Sequence, residues 1–314
     1  MRTASPPFDR DSADLIFRTT DGVDFLVHKA ILAIASPLHN DASEAESMGV
    51  SPDAKVGDHG GETQSRTVIS VSEDSETIDK LLRLVYPVAP PALETLDALK
   101  PVLEAAVKYQ MESVLELLRK KLVSQVFLEE EPLRVFAITC YHGFEEETRV
   151  AAMYTCYKGL PGPNVRELRS ITASATRALW ELKDKASVSA SSVVTNLSWM
   201  SECDTIQRSW AFFSCSQCSQ SSREINVQGV MVWPRAWWDT YMASIGQELM
   251  RAPCGMEVTS PRLFANAAYN IASSHCSFCR DFGKGLKDLT AFNRILAARV
   301  DKAVLEIAAT IDFQ

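Results

Sequence analysis

The chain lacks the long apolar runs that a membrane span needs. No stretch of 18 consecutive apolar residues occurs, so no transmembrane helix is expected. The opening residues, from Met1 to Asp9, have no apolar segment of the kind a secretory leader carries, which points to a cytosolic or nuclear protein. In such a reducing compartment the eight cysteines are expected as thiols or metal ligands, not disulfides. Basic charge is scarce too. The 32 Lys and Arg are outnumbered by 40 Asp and Glu, a net charge of −8. An extended electropositive surface for nucleic acid is therefore not expected.

Signatures of catalysis are missing as well. There is no G-x-x-x-x-G-K-S/T phosphate loop, and Gly283-Lys284-Gly285 is too short and has no strand before it. G-x-G-x-x-G, H-E-x-x-H and G-x-S-x-G are all absent. Only five histidines occur, and none sits in a nucleophile–base pattern. The sequence does not point to an enzyme.

What is present suits a globular protein of about two domains: 314 residues, 46% hydrophobic and 23% charged. The acidity is uneven. Residues 1–124 hold 13 Lys and Arg against 20 Asp and Glu, whereas residues 125–314 hold 19 against 20. Two units with different surfaces are implied.

Residues 1–9 are expected to be disordered. Asp14 to Phe17 and the alternating Val23, Phe25 and Val27 read as two strands, with Asp21-Gly22 supplying a hairpin turn. A short helix is expected over His28 to Ser36, stopped by Pro37. His28 is expected to sit at the strand–helix junction and Asp14 to satisfy backbone donors. Residues 39–66 contain six acidic residues, two basic ones and no aromatic, Leu or Ile, which reads as a mobile acidic loop. Residues 67–71 form a β-branched strand, and Ser72 is expected to cap the next helix, whose apolar face is Ile78, Leu81, Leu82 and Val85. Further helical patterns run over 95–109, with Pro101 near a start or a kink, and over 111–123.

These residues resemble a known family. The opening around Asp14, Asp21-Gly22, Phe25 to Lys29 and Ser36-Pro37 looks like the start of a BTB/POZ domain. Residues 71–87 and 103–111 look like its later strand and helices, over roughly 10–123, in the style of the BTB proteins abundant in mushroom-forming fungi. The family places a shorter loop where this chain has its acidic stretch. The resemblance implies protein–protein interaction, commonly self-association, and a role as adaptor, with a cullin-type ubiquitin ligase as one partner. A transcription-associated regulator that oligomerises through this domain is the alternative, and a cysteine-based metalloenzyme a third reading.

Residues 124–314 read as a mainly α-helical domain. Glu129 to Glu131 and Glu145 to Glu147 suit helix starts, where the dipole favours negative charge, better than a cation cluster. Residues 160–164 form a break, and the small, polar 186–192 reads as a hinge or loop. Residues 286–311 carry a helical apolar stripe. Trp233, Trp237 and Trp238 are expected to fill the core, and Cys140 and Cys156 to be inert thiols on helices.

The sharpest chemical pattern is a pair of Cys-x-x-Cys motifs, Cys215/Cys218 and Cys276/Cys279, separated by 57 residues. Two thiolates three apart on a turn can hold one ion, and two such pairs complete the tetrahedron of a structural zinc. His275 is a spare ligand candidate. Ordinary reduced thiols and redox chemistry at one pair are the other readings, although the βαβ surroundings of an oxidoreductase motif are not seen. The whole is an α/β BTB-like domain, a small sheet flanked by helices, followed by the helical domain.

Overall fold

The structure, a computed structural model, describes residues 2–37, 52–53, 66–159, 165–202, 210–227, 230–273, 276–281 and 283–313. The chain divides into two compact units, Met1–Phe127 and Leu128–Gln314.

In the first unit, strands β1 (Arg2–Thr3), β2 (Leu15–Arg18), β3 (Val23–Val27), β4 (Pro52–Asp53) and β5 (Thr67–Ser70) form one sheet in the order β1-β3-β2-β5-β4. β2 and β3 are the antiparallel hairpin, with Leu15 opposite Val27 and Phe17 opposite Phe25. β5 runs parallel to β2 on its other side. The period-two pattern sends Leu15, Phe17, Val23, Phe25 and Val27 inward. At the turn Gly22 has φ +75°, a conformation that side chains resist. Helix α1 (Lys29–Ala35) follows the hairpin. The Asp14 carboxylate accepts from the Lys29 N–H at 2.8 Å, and the His28 N–H donates to the Tyr86 hydroxyl at 2.7 Å.

Helices α2 (Ser75–Val85), α3 (Leu96–Lys108) and α4 (Glu112–Leu122) complete this unit. Their buried faces supply Ile78, Leu81, Leu82, Leu96, Leu99 and Leu103 to the core, each worth about 1.5–3 kcal/mol when fully buried.

Three expectations need correction here. Of the expected disordered end, 1–9, the described residues 2–9 are ordered: β1 pairs in parallel with β3, and Phe8 is fully buried beside Phe25 and Tyr86. One aromatic anchor and an open strand edge suffice to order the segment. The cap of α2 is Asp74, whose carboxylate accepts from the Thr77 N–H at 2.8 Å. Ser72 lies two residues too early for that geometry and bonds Lys108 instead. Pro101 sits inside α3, on its exposed side, so of the two expected places, a start or a kink, the start is ruled out. Of the stretch 39–66, all but 52–53 and Arg66 lies outside the described residues.

Helix α5 (Gln125–Glu130) spans the division between the units. The second unit continues with α6 (Pro132–Tyr141) and α7 (Glu145–Lys158), packed against each other. Pro132 occupies the first turn of α6, and all three of Glu145, Glu146 and Glu147 lie in the first turn of α7. The expected break at 160–164 lies outside the described residues. Helix α8 (Ala173–Thr195) packs against α10 (Ala236–Arg251) and α13 (Lys284–Ala308). It runs straight through 186–192, where a hinge or loop was expected. The small side chains there let helices approach: Ala186, Ser187 and Ala190 are buried, and a Cβ on Gly246 of α10 would stand 3.7 Å from the Ser191 Oγ. Between these long helices lie α9 (Ala211–Ser214), a two-stranded hairpin of β6 (Ile225–Val227) and β7 (Val230–Val232), α11 (Gly255–Val258) and α12 (Pro261–Ser273).

Candidate metal centre

Helix α9 ends as Cys215 turns to extended backbone, and the chain then curls through Cys218. The second pair lies on the wide π-helical turn Ser277–Asp281 and the residue before it. Folding closes the gap of 57 residues between the pairs. The Sγ atoms of Cys215 and Cys276 are 3.4 Å apart, those of Cys218 and Cys279 are 3.7 Å apart, and all four sulfurs lie within 4.8 Å of one another. A disulfide would need about 2.05 Å. A tetrahedron of sulfurs around zinc, with Zn–S about 2.3 Å, has edges of about 3.8 Å. The four thiols therefore fit the shell of one soft ion. All four are buried.

Local backbone donors favour thiolate at Cys215. Burial works to raise the Cys215 thiol, but N–H groups of Cys218 and Gln217 and contacts with Cys276 and Cys279 bring it down to about 7. Cys279 moves the other way, raised by burial and by its contacts with Cys215 and Cys218. Its own N–H donates to the Cys276 sulfur at 3.4 Å. The Gln217 side chain straps the pairs together, its Oε1 accepting from Cys276 Sγ at 3.5 Å and Ser277 Oγ at 2.9 Å.

The knuckles are set on an aromatic cluster. Phe212 stacks on Trp238 at 5.0 Å with 9° between planes, and Phe292 meets Phe212 edge-on at 5.3 Å. Trp210 stacks on Phe212 at 5.3 Å. Such pairs add about 0.5–1.5 kcal/mol each beyond burial. Of the three tryptophans expected in the core, Trp237 and Trp238 are buried, but Trp233 is 45% exposed. It directly follows the hairpin strand β7, outside the helical layer that its two neighbours enter through α10.

The sequence reading missed three contributors: Gln217, Gly285 and Arg235. A Cβ on Gly285 would stand 3.2 Å from the Cys279 carbonyl, so α13 passes the second knuckle with no room for a side chain. The Gly283-x-Gly285 spacing just after a Cys-x-x-Cys pair was a readable sign of that close approach. Arg235 is only 7% exposed. Residues 219–221 pair with 234–236, which returns Arg235 to the first knuckle. Its guanidinium donates to the carbonyls of Phe213 (3.1 Å) and Cys218 (3.5 Å).

Among the described residues the other thiols are Cys140, part-buried, and Cys156 and Cys254, buried. Burial pushes Cys156 up to about 12 and raises Cys140 and Cys254. His275 lies outside the described residues. In the first unit the His28 ring contacts Ser12 at 3.0 Å, a surface hydrogen bond.

Comparison with known proteins matches residues 7–126 to the BTB/POZ domain family. No curated protein matches the chain. Among the described residues no helix is long and apolar enough to cross a membrane.

Proposed function

We propose that this chain, which carries a BTB/POZ domain over residues 7–126, is an adaptor or scaffold whose second unit is tied together by a structural zinc. The domain match carries the reading, because BTB/POZ domains are protein–protein interaction modules. The activity is bridging. A protein bound to each unit meets the other at high effective concentration, with no bond made or broken. The partners of the first unit are a second copy of the chain and a cullin-type ubiquitin ligase. The surface of α1 supports a docking role: Leu32 is buried while Ile34 is 89% exposed, and the neighbouring α4 leaves Leu117 half-exposed. The compartment is cytoplasmic or nuclear.

Cys215, Cys218, Cys276 and Cys279 would hold the zinc. Bound by four thiolates, the ion has a closed shell and contributes folding energy, with no open position for a substrate. This favours a scaffold over a metalloenzyme.

The test uses the full chain and a variant with Ile34→Asp and Leu117→Asp. Molar mass from light scattering reads self-association, and capture of a purified cullin reads ligase engagement. Cullin bound by the wild type and lost in the variant supports the ligase adaptor. A dimer without cullin binding leaves the scaffold and retires the ubiquitin role. A monomer that binds no cullin overturns the assignment to both partners.

A further inference from the structure

We infer that the buried Arg235 guanidinium is the counter-charge of a dianionic four-thiolate centre, an inference that rests on the metal reading above. Guanidinium stays protonated at any pH a protein meets, so Arg235 brings a permanent positive charge into the second unit. A buried cation is costly unless an anion faces it. Among the described residues no carboxylate does so: its bonds go to the Phe213 and Cys218 carbonyls, and its buried Nε has no hydrogen-bond partner. Asp239, four residues on, is already engaged by Ser221 at 2.7 Å and by Arg223 at 3.3 Å.

The missing anion is the metal shell itself. Four thiolates and one divalent ion sum to a net charge of −2. That charge is also buried, and the Gln217 side chain and the Cys279 N–H are among the groups that bond its sulfurs. Arg235 reaches it through the carbonyl of a ligand residue, Cys218. The backbone explains how it arrives there. Its N–H is fixed to the Phe212 carbonyl at 2.8 Å, one turn before Cys215, so the same short segment places both the ligand and the charge. Each half of the arrangement is unfavourable alone. Without the metal shell and its charge of −2 the guanidinium lacks its full counter-charge, and without Arg235 the dianion loses the buried cation that bonds the Cys218 carbonyl. Metal binding and the buried arginine are thus coupled.

Three variants of the full chain separate charge from hydrogen bonding. Arg235→Lys keeps the charge but loses the planar fork. Arg235→Gln keeps a donor for the carbonyls but loses the charge. Arg235→Met loses both. Zinc affinity is read by competition with a chromogenic chelator, folding by circular dichroism, and the ligand set by the absorption of the cobalt(II)-loaded protein. Outer-shell partners typically change metal affinity by about 10–100-fold. The expected result is that Gln and Met weaken zinc binding by that much while Lys stays within a few-fold of wild type, all with the same tetrahedral cobalt spectrum. If Met does not fold, Gln against Lys carries the comparison. Wild-type affinity in the Gln variant, or a Lys variant as weak as Gln, would overturn the charge role. A wild type that binds neither zinc nor cobalt would instead overturn the metal reading, and the two failures are distinct.

Discussion

The two units solve the same problem by different means. In Met1–Phe127 the sheet and helices α2 to α4 bury a layer of aliphatic side chains, and ordinary caps finish the helix ends. In Leu128–Gln314 the long helices α8, α10 and α13 do likewise. The region from Trp210 to the hairpin β6–β7, however, consists of short elements that bury little aliphatic surface. There an aromatic cluster and four converging thiols take the place of regular secondary structure. Where regular elements are long, burial alone orders the chain. In this stretch of short elements the proposed zinc would supply order by joining two distant segments.

All six tryptophans lie in the second unit, so tryptophan emission separates the two experimentally. The largest expected effect follows from removing the cross-link. Cys215→Ser with Cys276→Ser, or a strong chelator, should loosen the second unit, with a large shift in emission and loss of near-ultraviolet dichroism. Structural zinc contributes on the order of 10 kcal/mol in small zinc domains. The first unit should keep its own unfolding transition. Next in size is Phe212→Ala, which removes the ring between Trp210 and Trp238 and should cost about 3–5 kcal/mol, read by denaturant unfolding followed through emission. Its mirror in the first unit, Leu82→Ala, should cost about 2–5 kcal/mol in a transition seen by far-ultraviolet dichroism but silent in emission. An emission change would break the division between the units.

Gly285→Ala should cost less, about 1–3 kcal/mol, because the new methyl must push the Cys279 carbonyl from 3.2 Å. Weaker zinc binding should accompany it. Smallest is the turn of the first unit. Asp21 accepts from Ser75 and Thr19, which lowers its carboxyl from 3.8 to about 2. A depressed carboxyl stabilises the fold above its unfolded value and loses that contribution as pH falls through its folded value. Asp21→Asn should therefore be less stable than wild type at pH 7, and the gap should close between about pH 4 and 2. A gap that persists at low pH would show that the loss comes from shape, not charge.

Local rules made much of the fold readable. The hairpin follows from Leu15, Phe17, Val23, Phe25 and Val27 alternating around Asp21-Gly22. The 3.6-residue stripe of α13 is plain in Leu289, Phe292, Leu296 and Val300. The same local rules misread 186–192, because small residues signal a loop in isolation but a close helix contact in context. They missed β1, whose order comes from the edge of β3 and from Phe8, not from its own sequence. At the centre, the two Cys-x-x-Cys spacings were legible as motifs, but their approach to within 4.8 Å depends on helices between them. Arg235 was invisible for a further reason. A cation beside Trp237 and Trp238 reads as surface until the fold shows it inside.

Metal content of the purified full chain, measured by mass spectrometry of the digested protein alongside a thiol titration, tests the central claim most directly. The expected result is one zinc per chain, four cysteines protected until a chelator is added, and loss of both in the Cys215→Ser, Cys276→Ser variant. A metal-free protein with those thiols reactive and its tryptophan emission indifferent to chelator would contradict it.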